Sequence, residues 1–294
     1  MQRSDLGRLG VWAALDGMPA AQAVEFCQKL EAWGYRALWM PEAVGRDPFA
    51  AIGYLAARAE TLIFATGIAN IYARDAMAMR AIQQSLAELT GGRLLLGLGV
   101  SHAPMVQGMR GHAYGRPVAT MSAYLDAMKQ AVYLGPKPAE EAPIVLAALR
   151  PKMLALAAQK ARGAHPYNVT PEHTRRARER LGPEGWLCPE QMVLLETTPS
   201  RAREIARKNL KTYLGLPNYR NNLKWLGFED GDFEEGGSDR LVDALVAWGD
   251  EVAISARIRE HHDAGADHVC IQAFRSDGQL GADERLLAAL APRR

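Results

Sequence analysis

Five short stretches carry side chains that could act together as a reaction site. Glu42 offers a carboxylate, Gly67-Ile68-Ala69-Asn70 ends in a carboxamide, and Gly97-Leu98-Gly99-Val100-Ser101-His102 sets an imidazole just after two glycines. Arg150 places a guanidinium directly before Pro151, and His165-Pro166-Tyr167 adds a second imidazole and a phenol. A carboxylate and an imidazole tuned toward neutrality can pass protons to and from a substrate. The glycine turn before His102 brings exposed backbone N–H groups beside the ring, which suits the polar edge of a cofactor. Arg150 at a helix start joins a guanidinium to free amides and a positive dipole end, the makings of an anion site. Each feature also has a plainer reading: Glu42 as a loop carboxylate, His102 as a loop histidine, Gly97 and Gly99 as relief of crowding, Arg150 as one half of a surface ion pair. Convergence is what favours chemistry, because burying all these groups together costs free energy that a purely structural fold need not incur.

Other candidates fall away. Ser85, Ser122 and Ser255 have no nucleophile-elbow context, and His261-His262 lacks the i, i+4 partner of a zinc helix and reads as solvated. Met77, Met79, Met121 and Met128, at helical spacing, read as packing residues. The basic run from His173 to Arg180 contains Glu179 and reads as one solvated helix face.

The elements that would position these residues repeat. An amphipathic helix, a glycine, a few polar residues and a short apolar strand recur before Gly34, Gly163 and Gly265, each glycine placed where a helix end favours a left-handed residue. Asp75 predicts the start of a helix carrying Met79, Ile82, Leu86 and Leu89 on one face, and Pro151 the start of another that ends near Lys160 and Arg162. Strands are expected at 8–14, 37–42, 63–70, 94–100, 144–149, 165–169, 191–197 and 268–274. Their runs are continuously apolar rather than alternating, as parallel strands buried on both faces require. Eight such units in 294 residues predict an α/β chain folded as one (β/α)8 TIM barrel over residues 1–294. The rival open sheet would favour a G-x-G-x-x-G turn after the first strand, where the chain reads Trp12-Ala-Ala-Leu-Asp-Gly17. Insertions are expected after strands four and seven, at 101–116 and 212–238, and the acidic stretch 228–237 reads as a mobile solvent loop without the register of a calcium site.

Composition narrows the classes. With 48% hydrophobic residues the chain can bury a large core, and 35 Lys+Arg against 33 Asp+Glu leave +2, which gives no field for nucleic acid. Cys27, Cys188 and Cys270 lie far apart, with no metal-ligand spacing, and read as buried thiols in a reducing compartment. No apolar leader or membrane-length run is present, so a cytoplasmic protein without membrane partners is expected.

The segments Leu38-Trp-Met-Pro-Glu42, Ala65-Thr-Gly-Ile-Ala-Asn-Ile-Tyr-Ala-Arg74, Gly92-Arg-Leu-Leu-Leu-Gly-Leu-Gly-Val-Ser-His102, Gly163-Ala-His-Pro-Tyr-Asn-Val-Thr-Pro-Glu-His173 and Leu216-Pro-Asn-Tyr-Arg-Asn-Asn-Leu223 together give a family likeness. In them the chain resembles the luciferase-like monooxygenase superfamily, in particular its F420-dependent oxidoreductases of actinobacteria. The resemblance implies an oxidoreductase that transfers a hydride between coenzyme F420 and a small organic substrate; FMN is the alternative cofactor. It implies a non-prolyl cis peptide at Gly67-Ile68, a ring lined by Gly67, Ile68, Asn70, Gly99, Val100, Ser101 and His102, and phosphate and ribityl groups held by Arg150, Pro151, Lys152, Met153, His165, Pro166 and Tyr167. Glu42 or His102 is the expected proton carrier, and Trp12, Trp39, Tyr114 and Tyr219 the expected substrate wall. Members acting on sugar phosphates or alcohols usually carry a histidine and a glutamate where this chain has Ala43 and His102, so the substrate does not follow from the likeness. A homodimer is implied as well. An FMN-dependent monooxygenase and a non-catalytic flavin or deazaflavin carrier are the competing functions.

Overall fold

The computed structural model describes residues 1–279 and 281–292. Its strands, in chain order, are β1 Leu9–Trp12, β2 Ala37–Met40, β3 Ile63–Thr66, β4 Ala69–Asn70, β5 Leu94–Gly99, β6 Ile144–Leu146, β7 Gly163–Ala164, β8 Trp186–Leu187, β9 Glu190–Leu195, β10 Val246–Gly249 and β11 Val269–Phe274. They form a curled parallel sheet along the path β10-β9-β11-β1-β2-β3-β5-β6-β7-β8, with β4 beside β5. β8 and β9 are two parts of one extended run interrupted at Cys188-Pro189. The first part pairs with β7 and the second with β11, while Glu190 N donates to Pro166 O at 2.8 Å and Cys270 N to Pro189 O at 3.0 Å. The curl therefore brings the β7 side of the sheet round to β11.

Helices between the strands bury one face against the outside of the curl. Asp75 accepts from Ala78 N at 2.8 Å and so caps Ala76–Leu89, whose Met79 and Leu86 are buried. Inside the curl, Trp12, Trp39, Ala65, Leu95, Val145 and Trp186 form a second apolar layer. A third core lies between β9, β10 and the helices Pro199–Leu214, Pro217–Trp225 and Asp239–Leu245. Cys27, Cys188 and Cys270 are buried free thiols. No helix among the described residues is long and apolar enough to cross a membrane.

Several expectations need correction. Gly34 and Gly265 do turn with positive φ after their helices, but Gly163 is a strand residue, and a Cβ there would lie 1.9 Å from the Trp186 carbonyl oxygen. Close strand approach, not a left-handed turn, requires that glycine. The strand expected at 165–169 is the pair Gly163–Ala164, and β10 was not foreseen at all: it follows the helix Asp239–Leu245 directly, with no turn residue to mark the change. The stretch 228–237 is not a loose loop. It folds into helical turns at Asp230–Gly236, buries Phe228 and Phe233, and anchors Asp232 through Ser238 Oγ at 2.6 Å. Met77 and Leu89 project outward at 66% and 71% exposure, whereas His261, read as solvated, is wholly buried. His261 Nε2 donates to Gln191 Oε1 at 2.9 Å, and its Nδ1 lies 2.8 Å from Thr174 Oγ1. His173 and Thr174, in the supposedly solvated basic face, are buried too.

Candidate active site

Because the strands are parallel, the segments after β2, β5, β6 and β7 share one end of the sheet, and Glu42, His102, Arg150 and His165 all lie in those segments. β3 continues through a cis peptide between Gly67 and Ile68 into β4. Trp12, closing β1, donates from Nε1 to Gly67 O at 2.8 Å, and Gly67 N donates to Met40 O at 2.8 Å. These bonds fix the turn from β1 and β2.

Glycine shapes the surface beneath Ile68. A Cβ on Gly99 would stand 2.5 Å from Ile68 Cδ1, and one on Gly97 would stand 1.9 Å from Thr66 O. Thr66 Oγ1 in turn donates to Gly97 O at 2.7 Å and accepts from Gly97 N at 2.9 Å. The crowding reading of the glycines holds: Thr66 O and Ile68 occupy the space that a side chain would need, and both glycines are buried. A Cβ on Gly67 would meet Trp12 Nε1 at 2.8 Å and His165 Nε2 at 3.2 Å, so Trp12, Gly67 and His165 are immediate neighbours.

His165 is fully buried. Its Nδ1 donates to Cys188 O at 2.7 Å, which leaves Nε2 as a lone-pair acceptor without a partner. Burial lowers its pKa to about 4, so the ring is neutral and that lone pair is available. Trp39 stacks on His165 with ring centres 4.3 Å apart and donates to His268 Nε2 at 3.0 Å. Trp39 has no exposed surface, so this residue, expected in the substrate wall, lies in the core beneath it.

Glu42 is only 7% exposed, and both its oxygens are engaged. Oε2 accepts from Asn70 N at 2.8 Å and Oε1 from Arg74 Nη1 at 2.7 Å, while Arg74 also pairs with Asp47. That geometry suits a carboxylate holding the 67–74 turn in place better than one exchanging protons.

His102 sits at the rim. Ser101, with φ of 55°, turns the chain, its carbonyl accepts from Tyr114 Oη at 3.1 Å, and the His102 ring lies 5.6 Å from that of Tyr219. Burial lowers the His102 pKa, against a hydrogen bond with Asn218 that raises it. The imidazole is therefore largely neutral and able to accept a proton.

Across from it stands an aromatic group: Tyr167 lies 5.3 Å from Trp12 and 5.3 Å from Tyr213, and Tyr213 lies 5.4 Å from Tyr219. Tyr167 Oη donates to Gln272 Oε1 at 2.8 Å and lies 2.8 Å from Tyr213 Oη. Tyr213 and Gln272 were not foreseen; one sits within a long helix and the other within an apolar strand. Glu190 was also missed. It is fully buried at the start of β9, where its Oε2 accepts from Asn168 N at 3.0 Å and its Oε1 has no partner. Burial raises its pKa to about 8, opposed by the Asn168 bond. A carboxylate beside Pro189 at the head of an apolar run was the available signal.

The anion-binding set is the least gathered. Arg150 is exposed at the N-terminus of the helix Pro151–Lys160 with no ion pair among the described residues, and Lys152 is exposed beside it. Met153 faces the apolar core instead. A cavity of about 720 Å³ opens at the opposite, N-terminal end of the strands, lined by Arg36, Thr61, Ile63 and Arg93 among others. No unpartnered buried atom faces it, and it lies away from every group described above.

A family model described as luciferase-like monooxygenase matches residues 4–268. A Mycobacterium tuberculosis protein provisionally named a coenzyme F420-dependent oxidoreductase is 28% identical over 123 residues, covering 42% of this chain and 35% of that protein. The match thus spans about a third of that curated relative's length. Among solved structures, an F420-dependent secondary alcohol dehydrogenase in complex with an F420–acetone adduct superimposes with a TM-score of 0.75 at 13% identity, covering 97% of this chain and 96% of that one. The oxygenating constituent of 3,6-diketocamphane monooxygenase from Pseudomonas putida, in complex with FMN, gives a TM-score of 0.65 at 13% identity over 97% and 98% of the two chains. At those identities the likeness speaks for the fold.

Proposed function

This chain belongs to the luciferase-like monooxygenase family, and on that footing we propose that it is an oxidoreductase that takes coenzyme F420 at the C-terminal ends of its strands. We read the curled sheet as the family's (β/α)8 barrel. The observation that carries the reading is the unpartnered Nε2 of the buried His165, set beside Gly67 and Trp12 at the C-terminal ends of the strands. A flat, polar-edged heterocycle fits such a place, because the orphaned acceptor supplies a hydrogen-bond partner. When bound, a deazaflavin supplies a carbon centre that gives or takes a hydride.

The protein's part is to bind, orient and manage protons. The His102 imidazole, neutral by burial, accepts or returns the proton that accompanies hydride transfer. Glu42 holds the turn through Asn70 N and Arg74 and so positions Ile68. Arg150 and the amides opening the helix at Pro151 offer an anion site for the cofactor's phosphate.

Fluorescence titration with F420 and with FMN tests the cofactor: micromolar FMN binding with none for F420 would replace this reading with the FMN monooxygenase. His102→Ala should lose turnover while keeping F420 affinity. A wild-type protein that binds F420 and passes no hydride to or from any alcohol or enone would be a carrier.

A further inference from the structure

We propose that the mouth of this site selects organic substrates without charge, an apolar body bearing one hydroxyl or carbonyl oxygen, and that Glu190 sets the selection. The inference rests on the reading of this mouth as a substrate site. Its walls are the rings of Trp12, Tyr167, Tyr213 and Tyr219, and its polar atoms belong to phenols, carboxamides and imidazoles. Tyr167 donates to Gln272, so the bond between the two phenols takes the Tyr213 proton. Tyr219 Oη makes no hydrogen bond among the described residues and is left to meet a substrate oxygen.

Among the described residues this wall carries no charged side chain. The carboxylates of Glu42 and Asp47 are both engaged by Arg74. Among the described residues Glu190 has no cation against it: the titratable groups facing it are Tyr167 from the segment after β7, Tyr213 from the helix Pro199–Leu214, Tyr219 from the helix Pro217–Trp225 and Cys270 from β11. Burial holds the Glu190 carboxyl protonated up to about 8 and raises the three phenols above their ordinary value. His102 and His165 are neutral for the same reason. A charged substrate entering here would lose its hydration and find no counter-ion among the described residues, whereas a ketone or alcohol loses little. Once Glu190 ionises, the same pocket holds a buried anion, and its preference turns toward cations.

Three probes of one shape test this: cyclohexanone, cyclohexanecarboxylate and cyclohexylammonium, their binding to the protein alone followed by intrinsic tryptophan fluorescence. Near neutral pH cyclohexanone should bind roughly tenfold or more tighter than either ion. At pH values well above about 8 the wild type should come to favour cyclohexylammonium, and Glu190→Gln should keep its neutral preference at both pH values. Equal or better binding of an ion near neutrality would overturn the proposal, as would no binding of any probe. So would a switch that persists in Glu190→Gln or is missing from the wild type. None of these readouts needs the cofactor, so they fail independently of the F420 titration.

Discussion

Acidification from pH 7 to pH 5 should strip this fold of a large part of its stability, because four histidines are buried in neutral form. His165, His173 and His268 have their pKa values lowered to about 4 and His261 to about 3, all chiefly by burial. For two of them the bonds add a reason to resist a proton. His268 Nε2 accepts from Trp39 Nε1 at 3.0 Å while its Nδ1 donates to Gly7 O at 2.8 Å. His261 accepts at Nδ1 from the Thr174 hydroxyl. In the unfolded chain each ring titrates near its ordinary value, so over this interval the unfolded state binds protons that the folded state cannot, and stability falls with pH. Each histidine loses about 2 kcal/mol between pH 7 and pH 5. Glu190 works the other way: its folded pKa is raised to about 8, so the folded state already holds a proton that the unfolded state lacks over the same interval, and its contribution grows as pH falls. Offsetting the four losses with that one gain leaves a net loss of about 5 kcal/mol, against a total stability of roughly 5–15 kcal/mol for a typical domain. Guanidinium chloride unfolding at the two pH values measures it, with an unchanged slope confirming comparable states. Stability at pH 5 equal to or above that at pH 7 would refute the assignment of neutral buried rings.

Other perturbations test the site's framework. Gly97→Ala puts a methyl 1.9 Å from Thr66 O and should cost roughly 3 kcal/mol or more or abolish soluble yield, while Gly53→Ala, inside a helix with its nearest neighbour at 3.7 Å, should stabilise by about 0.5–1 kcal/mol. Thermal melts of the pair decide, and a Gly97→Ala melt matching wild type would show that the strands are not so close. Glu42→Gln leaves the half-buried Arg74 without its carboxylate partner at 2.7 Å, with Asp47 still paired, and should lower stability by about 1–2 kcal/mol and weaken F420 binding. A variant with unaltered stability that loses only turnover would return Glu42 to the role of proton carrier.

What could be read from the sequence follows from how local the cause was. Leu94–Gly99 announced itself because a parallel strand buried on both faces must be apolar at every position, a property of the run alone. The rim residues Glu42, His102, Arg150 and His165 were legible for a related reason: in a parallel sheet, being next after a strand fixes the end of the molecule on which a side chain lies. His261 was not, since the groups that satisfy it, Gln191 and Thr174, are 70 and 87 residues away in the chain. Gly163 misled because a glycine after a helix usually marks a left-handed turn, and the Trp186 carbonyl that demands it here is known only once β7 and β8 pair.

Glu190 shows the limit most sharply, because the property that gives it a role is a missing neighbour. From the chain alone, a glutamate between Pro189 and Gln191 looks no different from one at a strand's wet edge. Its burial, its free Oε1 and the ring of phenols around it arise from the segment after β7, from β11 and from two helices whose phenols, Tyr213 and Tyr219, lie more than twenty residues further along. A cation supplied by any one of those elements would hold the carboxyl ionised and give the mouth a fixed charge. The composition of four separate segments, none of which contains Glu190, thus decides whether this site greets a substrate as an ion or as a neutral molecule.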